Sequence, residues 1–328
     1  MVNVSAIDIV APPALRPGDT LGVCAPAGPV NPERLARGLD RLVPHFRIRT
    51  SPGVLARNGY LAGDDRQRAA ELSMLLADPD VRAVIMARGG YGVTRMLADV
   101  DPDLVRRDPK PVIGFSDGTP LLVWVAAAGV RPIHGPVVTQ LGELPADDVR
   151  HLVRLLTDPA PLGPLPWELT PIGATDRALP EPPIVAPLGP IVAPLVPANL
   201  KLLAHLVGTP WALSLAGCAL LLEEIGEKPY AIDRDLTQLE LAGLLRGARA
   251  VVVGDLTRCT DPPVAAGGVD DPAPALAVVD ERLRRFGLPG LAGAPVGHGM
   301  RNLALPFGGR AAIDPVAATL ELVDGAVA

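Results

Sequence analysis

Short apolar segments alternate with helix-like segments through the first half of the chain. The apolar segments are residues 20–24, 46–50, 81–87 and 112–115. Between them, Asn31-Pro32 and the spacing of Asp64 and Gln67 are typical of helix starts, because an Asn or Asp side chain accepts hydrogen bonds from first-turn amides. Buried strands that alternate with helices predict a parallel sheet covered on both faces.

Proline dominates the segment that follows, residues 158–197. At this density proline is incompatible with a helix or a central strand. We therefore predict an extended connection between an N-terminal α/β domain, residues 1–157, and a second domain, residues 198–328. Within the connection, residues 184–188 recur as 191–195, a repeat too short for a solenoid.

The second domain has its own alternation of strands and helices. Strands are predicted at 218–222, 250–254, 291–296, 311–313 and 318–323, the last two as an antiparallel pair. Helices are predicted from Asn199 to Val207, at 232–245 and at 275–286, where Gly287 ends the last one.

Composition narrows the class of protein. The chain has 328 residues with 48% hydrophobic and 20% charged residues, which suits two folded domains. A net charge of −6 and 3% aromatic residues argue against a nucleic-acid partner. Residues 1–20 lack the basic start of a secretory signal, and no apolar run is long enough to span a membrane. Cys24, Cys218 and Cys259 are predicted to be buried thiols, so we expect a cytoplasmic protein.

The strongest candidate for chemistry is Ser116. It lies between Gly114 and Gly118, at the end of a buried strand and directly before an apolar helix. G-x-S-x-G at a strand-to-helix turn is the pattern that holds a nucleophilic serine on a sharp turn. The alternative is a serine that only caps the helix or completes the turn.

A glycine-rich segment, residues 88–92, follows the neighbouring strand. It lacks the spacing of phosphate-binding loops. Its amides at Gly89 and Gly90, together with the N–H of Asp117, could instead form an oxyanion hole beside Ser116.

A nucleophilic serine needs a base, and the base needs a group that fixes its orientation. His134 and His298 are the candidate bases, because both lie in glycine-containing loops just past a strand. Glu223 and Glu224 end an apolar strand, where a carboxylate must be paired or hydrogen-bonded. The alternative to a catalytic role is a salt bridge at the strand end, for instance to Arg234 or Lys228. Metal-binding spacings are absent, and we predict neither a metal nor a cofactor.

Taken together, these segments resemble the LD-carboxypeptidases, a serine peptidase family that includes muramoyltetrapeptide carboxypeptidases and microcin C self-immunity peptidases. The similarity spans residues from about 20 to 314, in the family's order. The matching segments are 23–29, 88–92, 114–119, 134–136, 199–210, 222–227, 230–234, 297–299 and 302–308.

The resemblance implies an N-terminal α/β domain and a β-rich α+β second domain that supplies an acid and a base. It assigns Ser116 as nucleophile, His298 as base and Glu223, the first acid of its pair, as the group that orients His298. It implies hydrolysis, in peptidoglycan recycling, of the bond between an L-centre and a terminal D-amino acid of murein tetrapeptide, without a cofactor, by a homodimer. We further assign substrate binding to four residues: Arg88, Tyr91, His134 and Asn199.

Three other functions stay open on the sequence. One is a self-immunity peptidase that cleaves an aminoacyl-nucleotide toxin, and another is a non-catalytic binder of small ligands. An ordinary α/β-hydrolase shares the order Ser, acid, His, but no long single sheet is predicted between Ser116 and the connection. Pro197-Ala198 also replaces the family's usual Gly-Gly, which bears on substrate fit.

Overall fold

The computed structural model describes residues 1–174, 189–261 and 271–328. Its strands are, in chain order, β1 Val2–Asn3, β2 Thr20–Cys24, β3 Arg47–Thr50, β4 Val81–Met86, β5 Val112–Gly114, β6 Ile133–His134, β7 Gly163–Pro164, β8 Thr170–Gly173, β9 Ile191–Asn199, β10 Leu213–Ser214, β11 Ala219–Ile225, β12 Ala250–Thr257, β13 Pro289–Ala292, β14 Leu305–Pro306, β15 Arg310–Asp314 and β16 Thr319–Leu322. Its α-helices are α1 Pro32–Leu42, α2 Asp65–Ala77, α3 Val93–Met96, α4 Asp103–Arg107, α5 Thr119–Ala127, α6 Val138–Leu141, α7 Ala146–Thr157, α8 Leu200–His205, α9 Pro229–Leu241 and α10 Ala273–Phe286. Short 3₁₀ helices lie at Val4–Ala6, Leu97–Asp99 and Ser116–Gly118.

The chain divides into two compact units that exchange short segments. The first unit comprises Ile7–Ala160, Asn302–Gly308 and Gly325–Ala328, and the second comprises Met1–Ala6, Pro161–Arg301 and Gly309–Asp324. No pattern in the sequence indicated the two late returns of the chain to the first unit, because short irregular segments carry little periodic signal.

The first unit is built on a six-stranded sheet in the order β14-β6-β5-β4-β2-β3. All neighbouring strands are parallel except β14, which runs antiparallel to β6. Leu21, Val23, Ile85 and Ile113 are wholly buried, as expected for strands covered on both faces. The predicted parallel sheet is confirmed. Its strand order reverses between β2 and β4, and ligands of such sheets bind beyond the carboxyl ends of the strands near that point.

The helix starts predicted in this unit are also confirmed. The Asn31 side chain accepts a hydrogen bond from the amide of Arg34 at 2.9 Å, and α1 begins at the next residue, Pro32. The Asp64 side chain accepts one from the amide of Gln67 at 2.7 Å, at the start of α2. Each cap satisfies an amide that the helix itself leaves free.

The second unit contains an eight-stranded sheet in the order β7-β16-β15-β9-β11-β12-β13-β8. Its centre, from β9 to β13, is parallel, and the flanking strands are antiparallel. The predicted antiparallel pair near the end of the chain is confirmed as β15 and β16. Residues 219–222 of β11 are wholly buried, which places the carboxylates that follow at the edge of an apolar core.

One prediction about the proline-rich segment is wrong. Residues 191–197 belong to β9, a central strand of the sheet, although proline lacks the N–H that a central strand uses. The strand changes partners along its length: pairing with β15 ends at Pro194, and pairing with β11 begins at Leu195. The Leu195 amide donates to the carbonyl of Gly309, on the β15 side, at 2.8 Å. Because successive backbone nitrogens of a strand point to opposite neighbours, the nitrogen of Pro194 faces β11 and that of Pro197 faces β15. Each proline therefore faces a neighbour that is not paired at its position.

Two predicted helices differ from the structure at their ends. The helix predicted at 232–245 is α9, Pro229–Leu241, which begins with Pro at its first position and ends before Gly243 at φ 77°. The helix predicted from Asn199 to Val207 ends at His205, ahead of Gly208 at φ 81°. Both glycines adopt a left-handed conformation that ends a helix.

Other sequence predictions concern burial. All three cysteines are free and buried, as predicted. Among the described helices, none combines the length and the apolar character that crossing a bilayer requires. The first copy of the short repeat, residues 184–188, lies outside the described residues.

Candidate active site

Ser116 lies on a strained turn at the carboxyl end of β5. Its φ is 59°, one of the few positive values at a non-glycine residue, whereas Phe115 before it is extended at φ −156°. The left-handed region costs a residue with a β-carbon free energy, and such strain concentrates at functional positions. The chain reverses through the 3₁₀ turn and enters α5 at Thr119, so a strand, a sharp turn and a helix follow one another as G-x-S-x-G predicts.

The glycines beside Ser116 are required by close packing. A β-carbon at Gly114 would lie 3.1 Å from the sulfur of Met86, and one at Gly118 would lie 2.7 Å from the same atom. A β-carbon at Gly89 would lie 2.9 Å from Cβ and 3.1 Å from Oγ of Ser116. The main chain of Gly89 therefore lies directly against the serine hydroxyl.

The glycine-rich loop has amides available at this position. The carbonyl of Gly89 accepts a hydrogen bond from the Gly28 amide at 3.1 Å, and Gly90 has a φ of 115° that favours glycine. In the part of the chain that the structure describes, the amides of Gly89 and Gly90 donate to no protein group. Such amides are the donors that an oxyanion hole uses.

The side chain of Asp117 fastens this loop to the turn. It is buried, and it accepts a hydrogen bond from the amide of Val93 at 2.9 Å, at the start of α3. Burial raises the pKa of Asp117 to about 6, while hydrogen bonds from Val93 and Gly92 and the charge of Arg68 oppose the rise. The amide proposed for the oxyanion hole thus belongs to a residue whose carboxyl group positions the loop.

Arg68 is a second positioning residue, and the sequence reasoning missed it. Its guanidinium is wholly buried and donates to the carbonyls of Pro26 and Gly92, which belong to the loops after β2 and β4. It also pairs with Asp65. The available signal was its position, four residues before Leu72 and seven before Leu75, which places Arg68 on the buried face of the helix.

The candidate acid and base lie together in the second unit. Oε2 of Glu223 lies 2.7 Å from Nδ1 of His298. Glu223, at the carboxyl end of β11, is wholly buried, and His298 is 17% exposed. This contact orients the imidazole, and Nε2 is the ring nitrogen that does not face Glu223.

Burial and charge act in opposite directions on His298. Burial disfavours the charged imidazolium, but the hydrogen bond and charge of Glu223, with smaller effects from Glu224 and Asp255, outweigh burial and raise the His298 pKa above its ordinary value. Asp255 also accepts a hydrogen bond from the amide of Gly299 at 2.9 Å. It therefore holds the loop that carries His298. Sequence reasoning missed this role, although Asp255 directly follows the predicted strand 250–254, the kind of position at which Glu223 was singled out.

Glu224 has a different environment from Glu223. It accepts hydrogen bonds from the amide of Lys201 at 2.8 Å and from the side chain of Asn199 at 3.1 Å. Burial raises its pKa to about 7, assisted by the charge of Glu223. Asn199 in turn caps α8 through the amide of Leu202. Glu224 and Asn199 thus fix the start of α8, and this structural use of Asn199 does not support our assignment of it to substrate binding.

The remaining predicted residues are divided between the surface and the interior. Arg88 and Tyr91 line an open pocket of about 530 Å³ within the first unit. His134 is wholly buried at the end of β6. Its ring is edge-on to the ring of Phe115, with 5.3 Å between the ring centroids. His134 is thus placed to support the residue before Ser116, and it offers no surface to a substrate. Ser116 belongs to the first unit, and Glu223 and His298 belong to the second.

Comparison with known proteins identifies the family of this chain. The model of the LD-carboxypeptidase N-terminal domain matches residues 21–135, and that of the LD-carboxypeptidase C-terminal domain matches residues 192–313. A probable murein peptide carboxypeptidase of Bacillus subtilis is 33% identical over 316 residues, 96% of this chain and 94% of that protein.

Solved structures with the same fold cover nearly the whole chain. A muramoyltetrapeptide carboxypeptidase from Oxalobacter formigenes has a TM-score of 0.72 and 28% identity over 92% of this chain and 97% of its own. MccF in complex with glutamyl sulfamoyl guanosine has a TM-score of 0.81 and 22% identity, covering 97% of this chain and 99% of its own, which is a likeness of fold. On these matches, the chain belongs to the LD-carboxypeptidase family.

Proposed function

We propose that this protein is a serine-type LD-carboxypeptidase that removes the terminal D-alanine from murein tetrapeptide. The observation that carries the proposal is the backbone of Ser116, held at φ 59° on a strand-to-helix turn with Gly89 against its hydroxyl. The relatives named for murein peptides support the substrate class. We assign Ser116 as nucleophile, His298 as base and Glu223 as the residue that orients His298.

In the first step, Nε2 of His298 removes the Ser116 proton while Oγ attacks the carbonyl carbon of the scissile amide. The negative charge on the carbonyl oxygen is stabilised by the amides of Asp117 and of Gly89 or Gly90. His298 then gives its proton to the nitrogen of D-alanine, the C–N bond breaks, and an acyl-enzyme ester remains on Ser116.

In the second step, His298 takes a proton from water, and the resulting hydroxide attacks the ester carbonyl. The ester bond breaks, and the proton returns through His298 to Oγ of Ser116, so the enzyme is regenerated and the tripeptide leaves. Glu223 stabilises the imidazolium that forms twice in each cycle.

Mass spectrometry of murein tetrapeptide after incubation with the protein tests the proposal directly. Loss of one alanine residue is expected with the native protein and no loss with Ser116→Ala. A Ser116→Ala variant with full activity would disprove the assignment of the nucleophile. Cleavage of an aminoacyl sulfamoyl nucleotide with the tetrapeptide left intact would favour the immunity peptidase instead, and turnover of neither would favour the ligand binder.

We also propose that the protein works in the cytoplasm, where murein fragments are recycled, and that it forms a homodimer. The free, buried cysteines support the first, and the family resemblance supports the second. Light scattering coupled to size-exclusion chromatography measures the second: a mass twice the 34.1 kDa of the chain is expected, and a mass of one chain over the working concentration range would contradict it.

A further inference from the structure

The pocket beside the glycine-rich loop has a composition that the proposed chemistry does not explain. It lies wholly within the first unit, and its walls include Gly28, Asn31, Arg57, Tyr60, Arg88 and Tyr91. These residues belong to the loops that follow β2, β3 and β4, at the carboxyl end of the sheet. This is the end at which sheets of this type bind ligands.

A single loop separates the pocket from Ser116. Gly28 and Gly90 form part of its wall, and Gly28 donates to the carbonyl of Gly89 at 3.1 Å. On its other side Gly89 lies against Ser116, whose Oγ would be 3.1 Å from a β-carbon at that position. A group bound in the pocket is thus separated from the reacting hydroxyl by the thickness of one backbone segment.

The charge of the pocket is positive and unopposed. Arg57 and Arg88 are both exposed, and within the described residues neither forms an ion pair with a carboxylate. Arg88 donates one hydrogen bond, to the carbonyl of Pro29 at 2.5 Å. No Asp or Glu lies among the described lining residues. Two guanidinium groups without an acid suit a carboxylate, which accepts two parallel hydrogen bonds from each.

A second pocket in the same unit provides the contrast. It measures about 660 Å³ at the amino end of the sheet, and it contains Arg47, Arg49 and Arg82. Two of these are already neutralised, because Arg49 pairs with Asp78 and Arg82 pairs with Asp108 at 3.3 Å. The second pocket also has carboxylates in its wall, Asp19 and Asp80, whereas the described wall beside the glycine-rich loop has none.

We propose that Arg57 and Arg88 bind the terminal carboxylate of the substrate, with the rings of Tyr60 and Tyr91 as the adjoining wall. Those rings are 5.9 Å apart and are 65% and 47% exposed. A carboxypeptidase must distinguish the end of a peptide from an internal residue, and only the last residue has its main-chain carboxyl group as a free carboxylate. The inference rests on the proposed function, and it makes Arg57 a specificity residue.

Two peptides and three variants test the inference. Wild-type protein, Arg57→Gln and Arg88→Gln are assayed on murein tetrapeptide and on the same peptide with its terminal carboxylate converted to an amide. Arg47→Gln is the matched control, since it removes the same charge from the second pocket. We expect kcat/KM on the acid to fall about 10- to 100-fold in the two pocket variants, the range for a lost hydrogen bond to a charged group, and to change less than about 2-fold on the amide.

The inference is overturned if the wild-type protein processes acid and amide equally well, or if Arg57→Gln lowers both activities equally or neither. Calorimetric measurement of peptide binding to the Ser116→Ala variant distinguishes failure of this inference from failure of the proposed function. Tighter binding of the acid than of the amide, lost on adding Arg57→Gln, supports carboxylate recognition even if the native protein cleaves neither peptide. Equal affinities, or no binding, would disprove it.

Discussion

Glu223 and Glu224 are adjacent on β11 but make different contacts. Since both are glutamates, residue type alone could not indicate which of them faces His298. Glu223 contacts His298 at 2.7 Å, whereas Glu224 accepts hydrogen bonds from the amides of Lys201 and Ile225. Successive residues of a strand point to opposite faces, so only one of the two can reach the histidine. The assignment of Glu223 thus has a geometric basis that is independent of the family resemblance.

We expect Glu223→Gln to lower kcat by about 10⁴-fold, as in the comparable change of a triad Asp to Asn, because an amide cannot hold the imidazole in the required tautomer. Glu224→Gln is the matched control. It should lower kcat less than about 10-fold, since the amide oxygen can still accept hydrogen bonds at the start of α8. Equal losses in steady-state assays of the two variants would contradict the assignment.

The raised pKa of His298 predicts the pH dependence of turnover. Only neutral imidazole can accept the Ser116 proton, so activity is lost as pH falls through the pKa of His298. Because Glu223 raises that pKa above 6.5, the acidic limb of kcat/KM should lie above pH 6.5. In Glu223→Gln the main cause of the rise is absent, and the acidic limb of the residual activity should move to lower pH. An unchanged limb would indicate that another group controls it.

Among the elements, the loop after β4 determines the geometry around Ser116. Arg68 of α2 holds its end at Gly92, Asp117 holds the amide of Val93, and Gly89 contacts Ser116. Since these contacts come from α2 and from the turn after β5, the loop is fixed from two sides without secondary structure of its own. Rigid support of this kind is what a preorganised oxyanion site requires.

Gly89→Ala tests this arrangement. The added methyl group would lie 2.9 Å from Cβ of Ser116, so either the loop or the serine must move. We expect kcat to fall at least about 100-fold, the typical effect of displacing an oxyanion donor, with little change in the free energy of unfolding. Gly189→Ala, at a position with no atom within 4 Å, is the control for a glycine change. Retained activity in Gly89→Ala would place the oxyanion elsewhere.

At the scale of the whole molecule, the chain passes between the two units several times, because each unit is made of three separate segments. Asn302–Gly308 belongs to the first unit although it follows nearly all of the second. Asn302 is wholly buried there: its amide donates to Asp148 at 3.0 Å and its side chain to Gln140 at 2.9 Å. The segment then adds β14 to the sheet beside β6.

Asn302→Ala should therefore destabilise the protein by about 1–3 kcal/mol, the cost of leaving a buried polar partner without its hydrogen bond. Urea denaturation at neutral pH measures the change. Met300→Ala is the control, because Met300 lies two positions earlier in the chain and is 89% exposed. Equal stability of the two variants would mean that the segment contributes little to the first unit.

The sequence was sufficient for features that depend on neighbouring residues. Alternating apolar strands and capped helices predicted the parallel sheet, and Asn31 and Asp64 marked two helix starts that the structure confirms. The glycine spacing around Ser116 indicated the sharp turn. These signals are local, because a cap, a turn or a periodic face is set within a few residues.

Features that depend on distant residues were decided by the tertiary structure alone. The proline-rich β9 is a central strand because its two neighbours pair with different halves of it, which no local propensity encodes. Arg68 and Asp255 hold loops that are distant from them in the sequence, and Arg57 and Arg88 line one pocket from the loops after β3 and β4. Ser116 was identifiable as the candidate nucleophile from the five residues 114–118. Its φ of 59° and its contact with Gly89, however, arise from packing between two strand ends.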